Sequence, residues 1–270
     1  MKNINKFSIE LTGGLGNQLF GVALLVTLKN YFQCTGYLNT YQYNILNQQR
    51  RLEVEHILVR EGIEVNNKIS KRLFRESNPF VFDKKVFEIG DETLLMGYFQ
   101  SIKYFENCFD EVRKFILGES SDRLLSKMSS GIAVHIRRGD YLNSRFHGIC
   151  QPQYYLSAIR LLRNIWGDLP VIIFSDDEIY AESFKSQISN SSLHSSNGEK
   201  PFETLIEMSK YSCLVASNSS FSFWSGFLSN KSYGEIILPN KWTNSEEAYE
   251  LILPGWTTID KCIGTELPFK

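Results

Sequence analysis

The 270-residue chain lacks an excess of either charge: 29 Lys and Arg stand against 30 Asp and Glu, a formal net charge of -1. With no basic field a nucleic-acid surface is not expected, and any anion site has to be built locally. Paired cysteines are missing as well. Cys34, Cys108, Cys150, Cys213 and Cys262 are odd in number and never fall in C-x-x-C spacing. That argues against a disulfide framework and a zinc site, and fits a reducing cytoplasm. Long apolar runs are also absent. Of the two uncharged eighteen-residue stretches, 11–28 carries four glycines with Asn17 and Gln18, and 213–230 carries six serines and two asparagines, so neither is expected to span a membrane. Glu10 sits within the segment that a signal peptide would need apolar, and no export signal is expected.

What is present is a globular composition, 43% hydrophobic and 13% aromatic, arranged as alternating strands and helices. A strand at 7–11, a glycine-rich turn "GGLGNQ" at 13–18 and an apolar helix at 19–32 open the chain. A tyrosine-rich loop is expected at 39–47, a basic, weakly helical stretch at 69–75, a strand at 93–99 and a helix over 101–117. Polar residues 118–131 form the candidate link between an N-terminal lobe, 1–125, and a C-terminal lobe, 126–270. The second half reads as strand 132–137, helix 152–166 opened by Pro152, strand 171–175, a helix from 177 and a serine- and asparagine-rich loop 189–200. Helix 201–211, strand 213–217, helix 220–229 and strand 235–238 follow. Such a layout puts site residues at the carboxyl ends of strands.

Several of those ends carry chemistry. In "HIRRGDY" an apolar strand stops in two adjacent guanidiniums, which repel unless an anion lies beside them. Strand alternation lets Arg137 share a pocket with His135, while Arg138 pairs with an acid or braces the loop. A guanidinium fork suits a diphosphate; the alternative is a surface Arg–Asp cluster around Asp140. "GGLGNQLF" has neither the Gly-Lys-Ser/Thr of a phosphate loop nor G-x-G-x-x-G spacing. Gly14, Leu15 and Gly16 would let backbone approach a ligand, with Asn17 and Gln18 at a helix start. In "FSDD", Asp176 and Asp177 either cap the next helix, or one of them accepts from sugar or nucleoside hydroxyls. "SNSSF", Asn218 to Phe221, offers Ser219 and Ser220 together with first-turn N–H groups as a second diphosphate cradle, or as a capped core helix. No D-x-D occurs anywhere, the spacing with which metal-dependent nucleotide-sugar enzymes commonly hold metal and diphosphate.

Taken together, "GGLGNQLF", "GYFQSIKYF", "HIRRGDY" with "YYLSAI", "FSDD", "SNSSFSFW" and "ILPNKW" resemble glycosyltransferase family 11, the α-1,2-fucosyltransferases, and more distantly the α-1,6- and protein O-fucosyltransferases. They fall in family order over nearly the whole chain. The resemblance implies an α/β fold of two Rossmann-like lobes (GT-B type), a GDP-β-L-fucose donor, no metal or other cofactor, and inversion to an α-fucoside. It places Arg137 at the β-phosphate, Ser219 and Ser220 at the diphosphate, and Asn17 at the reacting centre. His135, Arg138, Asp140, Gly14, Leu15, Gly16, Ser175, Asp176, Asp177, Glu203, Thr204, Asn218 and Phe221 are expected around the donor, and Gln18 and Tyr141 at the acceptor.

Two positions depart from the pattern. Gly21, Val22 and Ala23 stand where the family usually shows Gln-Tyr-Ala. Thr204 stands where it tends to carry an aspartate associated with guanine recognition, with Glu203 beside it as a substitute. The expected activity is transfer of fucose to the 2-hydroxyl of a galactose-type residue on a surface-glycan precursor, in the cytoplasm or at the inner face of the membrane. Expected partners are a nucleotide sugar and a glycan, not nucleic acid. The rivals are another GDP-sugar or acceptor hydroxyl, and a nucleotide- or glycan-binding module without turnover. A serine hydrolase finds no G-x-S-x-G, and His56, His147 and His194 read as ordinary polar residues.

Overall fold

A computed structural model describes residues 4–44, 50–68, 70–119, 128–195, 198–229 and 235–262. The chain divides into two compact units, Met1–Ser121 and Asp122–Lys270. The expected boundary between 125 and 126 lies outside the described residues, as does the end of the C-terminal segment.

The first unit is a four-stranded sheet in the order β2-β1-β4-β3, parallel throughout. Its strands are β1 (Lys6–Glu10), β2 (Thr35–Asn39), β3 (Arg72–Arg75) and β4 (Thr93–Met96). Between β1 and β2 runs α1 (Leu15–Phe32), buried continuously from Leu15 to Leu28 except at Asn17. A helix apolar on all sides belongs inside. Gly21 belongs to that packing: a Cβ there would come within 2.6 Å of the side chain of Leu11, which directly follows β1. Short helices α2 (Tyr41–Asn44) and α3 (Glu55–Arg60) precede β3, and α4 (Phe109–Leu117) closes the unit against α1.

Four expectations for this unit change. Helix α1 begins at Leu15, inside the glycine segment, because extended Gly14 caps it and its carbonyl accepts from the N–H groups of Asn17 and Gln18. Residues 41–44 form α2 within the expected loop. The basic stretch forms β3, an edge strand whose Arg72 and Arg75 face solvent. Charged side chains on an edge deter pairing with other chains. The helix expected over 101–117 is broken into two 3₁₀ turns, Ile102–Tyr104 and Glu106–Cys108, before α4, with Phe105 non-helical at φ -139° and ψ 14° between them.

The second unit is a six-stranded sheet, β10-β9-β8-β5-β6-β7, also parallel. It is built from β5 (Ser129–Ile136), α5 (Pro152–Trp166), β6 (Val171–Ser175), α6 (Glu178–Lys185), β7 (Ser191–Leu193), α7 (Pro201–Ser209), β8 (Tyr211–Val215), α8 (Ser220–Leu228), β9 (Ile236–Pro239) and β10 (Thr257–Ile259). Central β5 is buried on both faces from Gly131 onward, as a parallel strand covered by helices requires. Helix α5 starts with Pro152 in its first turn and buries Tyr154, Tyr155, Ala158, Ile159 and Leu162 against the core of β5, β6 and β8. Two short strands were not expected: β7 within the polar loop, and β10.

From β5 the chain winds outward through β6 and β7, then returns to β8 on the other side and continues to β9 and β10. The reversal lies between β5 and β8. In parallel α/β sheets ligands bind outside the carboxyl ends of the strands at such a point. The first unit has its own, between β1 and β4.

Candidate active site

In the second unit the loops leaving β5 and β8 meet. His135, the penultimate residue of β5, is 6% exposed. Its Nδ1 lies 2.9 Å from Ser217 Oγ and its ring 5.4 Å from that of Phe221. Burial and then the Arg137 charge push its pKa down to about 3, so the imidazole is neutral and links the two loops without adding charge.

Arg137 leaves the strand end with Asp176 2.9 Å from Nη1 and Asp140 2.5 Å from Nη2, and its guanidinium stands 5.3 Å over the Tyr141 ring. Arg138 turns the other way: Nε donates to Asp177 at 3.0 Å, the guanidinium lies 3.7 Å from the centre of the Tyr180 ring, and the backbone N–H donates to Asp176. Asp177 also caps α6 by accepting from the Tyr180 N–H. That N–H first, then Arg138, holds its carboxyl below the usual range. Ser175 Oγ accepts from the Asp177 N–H. The helix-cap reading of "FSDD" therefore applies to Asp177, while Asp176 is an ion-pair partner of Arg137.

Ser219 caps α8, its Oγ accepting from the Phe221 N–H at 3.3 Å, and Ser220 opens the helix. Asn218 is fully buried, and its amide donates to the carbonyls of His147, Gly148 and Trp242. It fastens the site loops from behind. Two contributors escaped sequence reading. Lys261, 2% exposed, donates through Nζ to the carbonyls of His147 and Thr243, and no local pattern distinguishes it from a surface lysine. His147 stacks on Tyr141, ring centres 4.2 Å apart, which puts it one ring away from Arg137.

Glu203 and Thr204 lie further out, toward β7. Glu203 accepts from the Lys200 N–H and so caps its own helix. Thr204 lines a small pocket with Ile173, Phe174, Ser175, Glu178, Ala181, Leu193 and His194. Its hydroxyl donates to Glu199 at 3.0 Å, and His194, stacked on Phe174 at 4.4 Å, meets the same carboxylate oxygen at 3.0 Å. A carboxylate thus stands at Thr204 after all, supplied by Glu199.

At the corresponding point of the first unit two amides meet, with the Arg50 guanidinium close by: a Cβ on Gly14 would lie 3.5 Å from its Nη1. Gly13 adopts φ +73°, and a Cβ there would lie 2.4 Å from Asn17 Nδ2, so only glycine fits beneath that amide. Asn17 Oδ1 accepts from Gln100 Nε2 at 2.8 Å. Gln18 is fully buried: its amide donates to the carbonyls of Gly13 and Arg51 and accepts from the N–H of Glu53. Gln18 therefore ties the 51–54 segment to the glycine turn. Leu15 is buried with it, while Gly14 and Gly16 form the helix entry.

The described residues contain no cluster of His, Cys, Asp and Glu able to hold a metal ion, and no helix among them is long and apolar enough to cross a membrane.

The family model "Glycosyl transferase family 11" matches residues 1–260. An alpha-1,2-colitosyltransferase of Escherichia coli is 27% identical, covering 93% of this chain and 98% of that protein. The O-antigen biosynthesis glycosyltransferase WbnK of Escherichia coli is 24% identical over 92% of this chain and 99% of its own. Among solved structures, NodZ alpha-1,6-fucosyltransferase co-crystallised with GDP superposes with a TM-score of 0.52 at 13% identity, covering 83% of this chain and 93% of that one. The fold is accordingly of the GT-B type, two parallel α/β units.

Proposed function

Since this chain belongs to glycosyl transferase family 11 and is a glycosyltransferase, we propose that it moves L-fucose from GDP-β-L-fucose to the 2-hydroxyl of a galactose-type residue, with inversion and without a metal. The observation that carries the reading is Arg137, a guanidinium at the switch point of the second unit with the capped start of α8 on the adjoining strand. As the acceptor oxygen attacks C1 of the sugar, the C1–O bond to the β-phosphate breaks and its electron pair stays on GDP. The hydroxyl proton leaves to a base or to solvent. Donors already aimed at the β-phosphate stabilise the charge that develops there. Arg137 fits that role, because Asp140 and Asp176 hold its guanidinium in place until a diphosphate takes one of their positions. The buried His135 supports the loop without competing for the anion.

For the base, the Glu199 carboxylate beside Thr204 suits the N1–H and 2-amino donors of guanine, which adenine lacks. Ser219 and Ser220 would hold the diphosphate, Tyr141 would contact the acceptor, and Asn17 is proposed to take part in catalysis. The acceptor is proposed to be a surface-glycan precursor, met in the cytoplasm or at the inner face of the membrane. The match to a colitosyltransferase favours a second reading: colitose is fucose without its 3-hydroxyl, so the donor would be the corresponding GDP-sugar.

Calorimetric titration with GDP, GDP-fucose and GDP-mannose in EDTA, followed by donor consumption with lactose as acceptor, tests both. Metal-free binding and consumption of GDP-fucose is the expected result, and preference for GDP-colitose in competition would shift the donor. GDP binding without consumption of any donor would make the protein a binding module. Failure to bind guanine nucleotides would overturn the reading.

A further inference from the structure

We infer that Glu76 is a positioning residue: by clamping residues 97–100 it holds Gln100 against Asn17 and so fixes which way the Asn17 amide faces. The role for Asn17 rests on the proposed function; the clamp does not. Glu76 directly follows β3, and its own N–H donates to the Met96 carbonyl, which brings its side chain under the turn that leaves β4. There Oε2 accepts from the backbone N–H groups of Tyr98 and Phe99, each at 2.8 Å, while Oε1 accepts from the Tyr104 hydroxyl at 3.0 Å. Gly97 permits the approach, since a Cβ on it would lie 2.5 Å from that of Glu76. The clamped turn is one the chain would not adopt unaided: Phe99 has φ +53°, a conformation costly for a bulky side chain. Its ring is buried edge-on to Tyr104 at 5.5 Å.

The next residue, Gln100, is 7% exposed, its N–H bonded to the Pro79 carbonyl and its side chain donating to Asn17 Oδ1. That bond commits the oxygen of Asn17, so the amide nitrogen is turned over Gly13. A half-buried carboxylate that spends both oxygens on a turn's N–H groups and on the tyrosine beneath it is aimed at one outcome: the placement of the residue that follows.

Two arms separate this inference from the functional reading. In the full-length ¹⁵N-labelled protein, the Asn17 side-chain amide signal is identified by its loss in Asn17→Ala. Glu76→Ala should move it to the position it takes in Gln100→Ala, whereas Glu76→Gln, which keeps one acceptor for both N–H groups, should leave it in place. Glu76→Asp, a methylene shorter, should move it part of the way and serves if the alanine variant does not fold. An Asn17 signal unmoved in Glu76→Ala or Glu76→Asp overturns the inference. In the second arm, transfer from GDP-fucose to lactose should fall about tenfold to a hundredfold in kcat for Glu76→Ala and for Gln100→Ala, with KM for GDP-fucose within about twofold and no further loss in the double variant. Multiplying losses overturn the relay through Gln100. A wild-type protein that consumes no GDP-fucose would sink the functional reading, and the amide signal would still decide Glu76.

Discussion

At the switch point of the second unit, the loops after β5 and β6 place two guanidiniums against three carboxylates, Asp140, Asp176 and Asp177. At that of the first, the loops after β1 and β4 place two amides, Asn17 and Gln100, with the carboxylate of Glu76 set behind the turn. The same parallel-sheet geometry is filled with opposite chemistry. Paired charges can exchange an internal carboxylate for a ligand phosphate at little net cost, since the guanidinium is never left without an anion. Neutral amides in fixed orientations suit hydroxyl groups, which need direction more than field. On the proposed reading, the second unit's paired charges would serve a diphosphate and the first unit's amides a hydroxyl-bearing acceptor, two different kinds of preorganisation.

The largest effect is expected at Arg137. Arg137→Ala should lower transfer by about a hundredfold to a thousandfold, the usual effect of removing one donor from a developing oxyanion, with unchanged circular dichroism; undiminished transfer would remove the charged site from the mechanism. On the first unit's side, Gly13→Ala drives a Cβ into the Asn17 amide at a φ of +73°. It should reduce kcat by about tenfold to a hundredfold while GDP binds as before, because the groups proposed to hold its diphosphate belong to the second unit. Weakened GDP binding would show that the division of labour is wrong.

A smaller effect is expected at Glu199. Glu199→Gln should weaken GDP about tenfold, one charge-assisted hydrogen bond at about 1.5 kcal/mol, and should leave inosine diphosphate, which has no 2-amino group, less affected. Equal losses for both nucleotides, or none, would remove Glu199 from base recognition.

The smallest effect is in stability, and there the units should oppose each other. The His135 pKa is lowered to about 3 by burial and Arg137, so between that value and about 6.5 the unfolded chain binds the extra proton. Its contribution is lost as pH falls through this range. Glu76 is raised to about 7, chiefly by burial and against the Phe99 N–H, the Tyr104 hydroxyl and the Tyr98 N–H, with Asp83 adding repulsion. Here the folded chain binds the extra proton, so the contribution is present below about 4.5 and is lost as pH rises through about 7. Hydrogen exchange compared between pH 7 and pH 5, corrected for intrinsic rates, should show β5 and β8 losing protection relative to β1 and β4. Glu76→Gln should remove the first unit's share of that trend.

Most of the second unit was legible. Helix 152–166 and strand 171–175 are found at the expected residues, since Pro152 marks a start, Gly167 an end, and a buried parallel strand is an unbroken apolar run. The edges were not. Strand β7, Ser191–Leu193, carries no apolar alternation because it pairs on one side only, and β3 reads as basic because its side chains face water. The site divides in the same manner. Arg137 and Arg138 stand out at the end of an apolar strand, and the separate acid partner expected for Arg138 is Asp177. Nothing local distinguishes Lys261, Glu199 or Glu76, whose farthest partners lie 114, 5 and 28 residues away. Gln18 and Asn218, read as ligand contacts, spend their amides on backbone carbonyls, a use that only closed loops reveal.

The principal strands and helices of the second unit, the guanidiniums at the end of β5 and the family were determined by the sequence alone, because apolar periodicity, caps and ordered motifs are properties of neighbouring residues. The tertiary structure alone decided which carboxylate meets which cation, which amides face a ligand and which are consumed inside. Those pairings depend on loops brought together by the reversal of strand order, and no spacing along the chain encodes that distance.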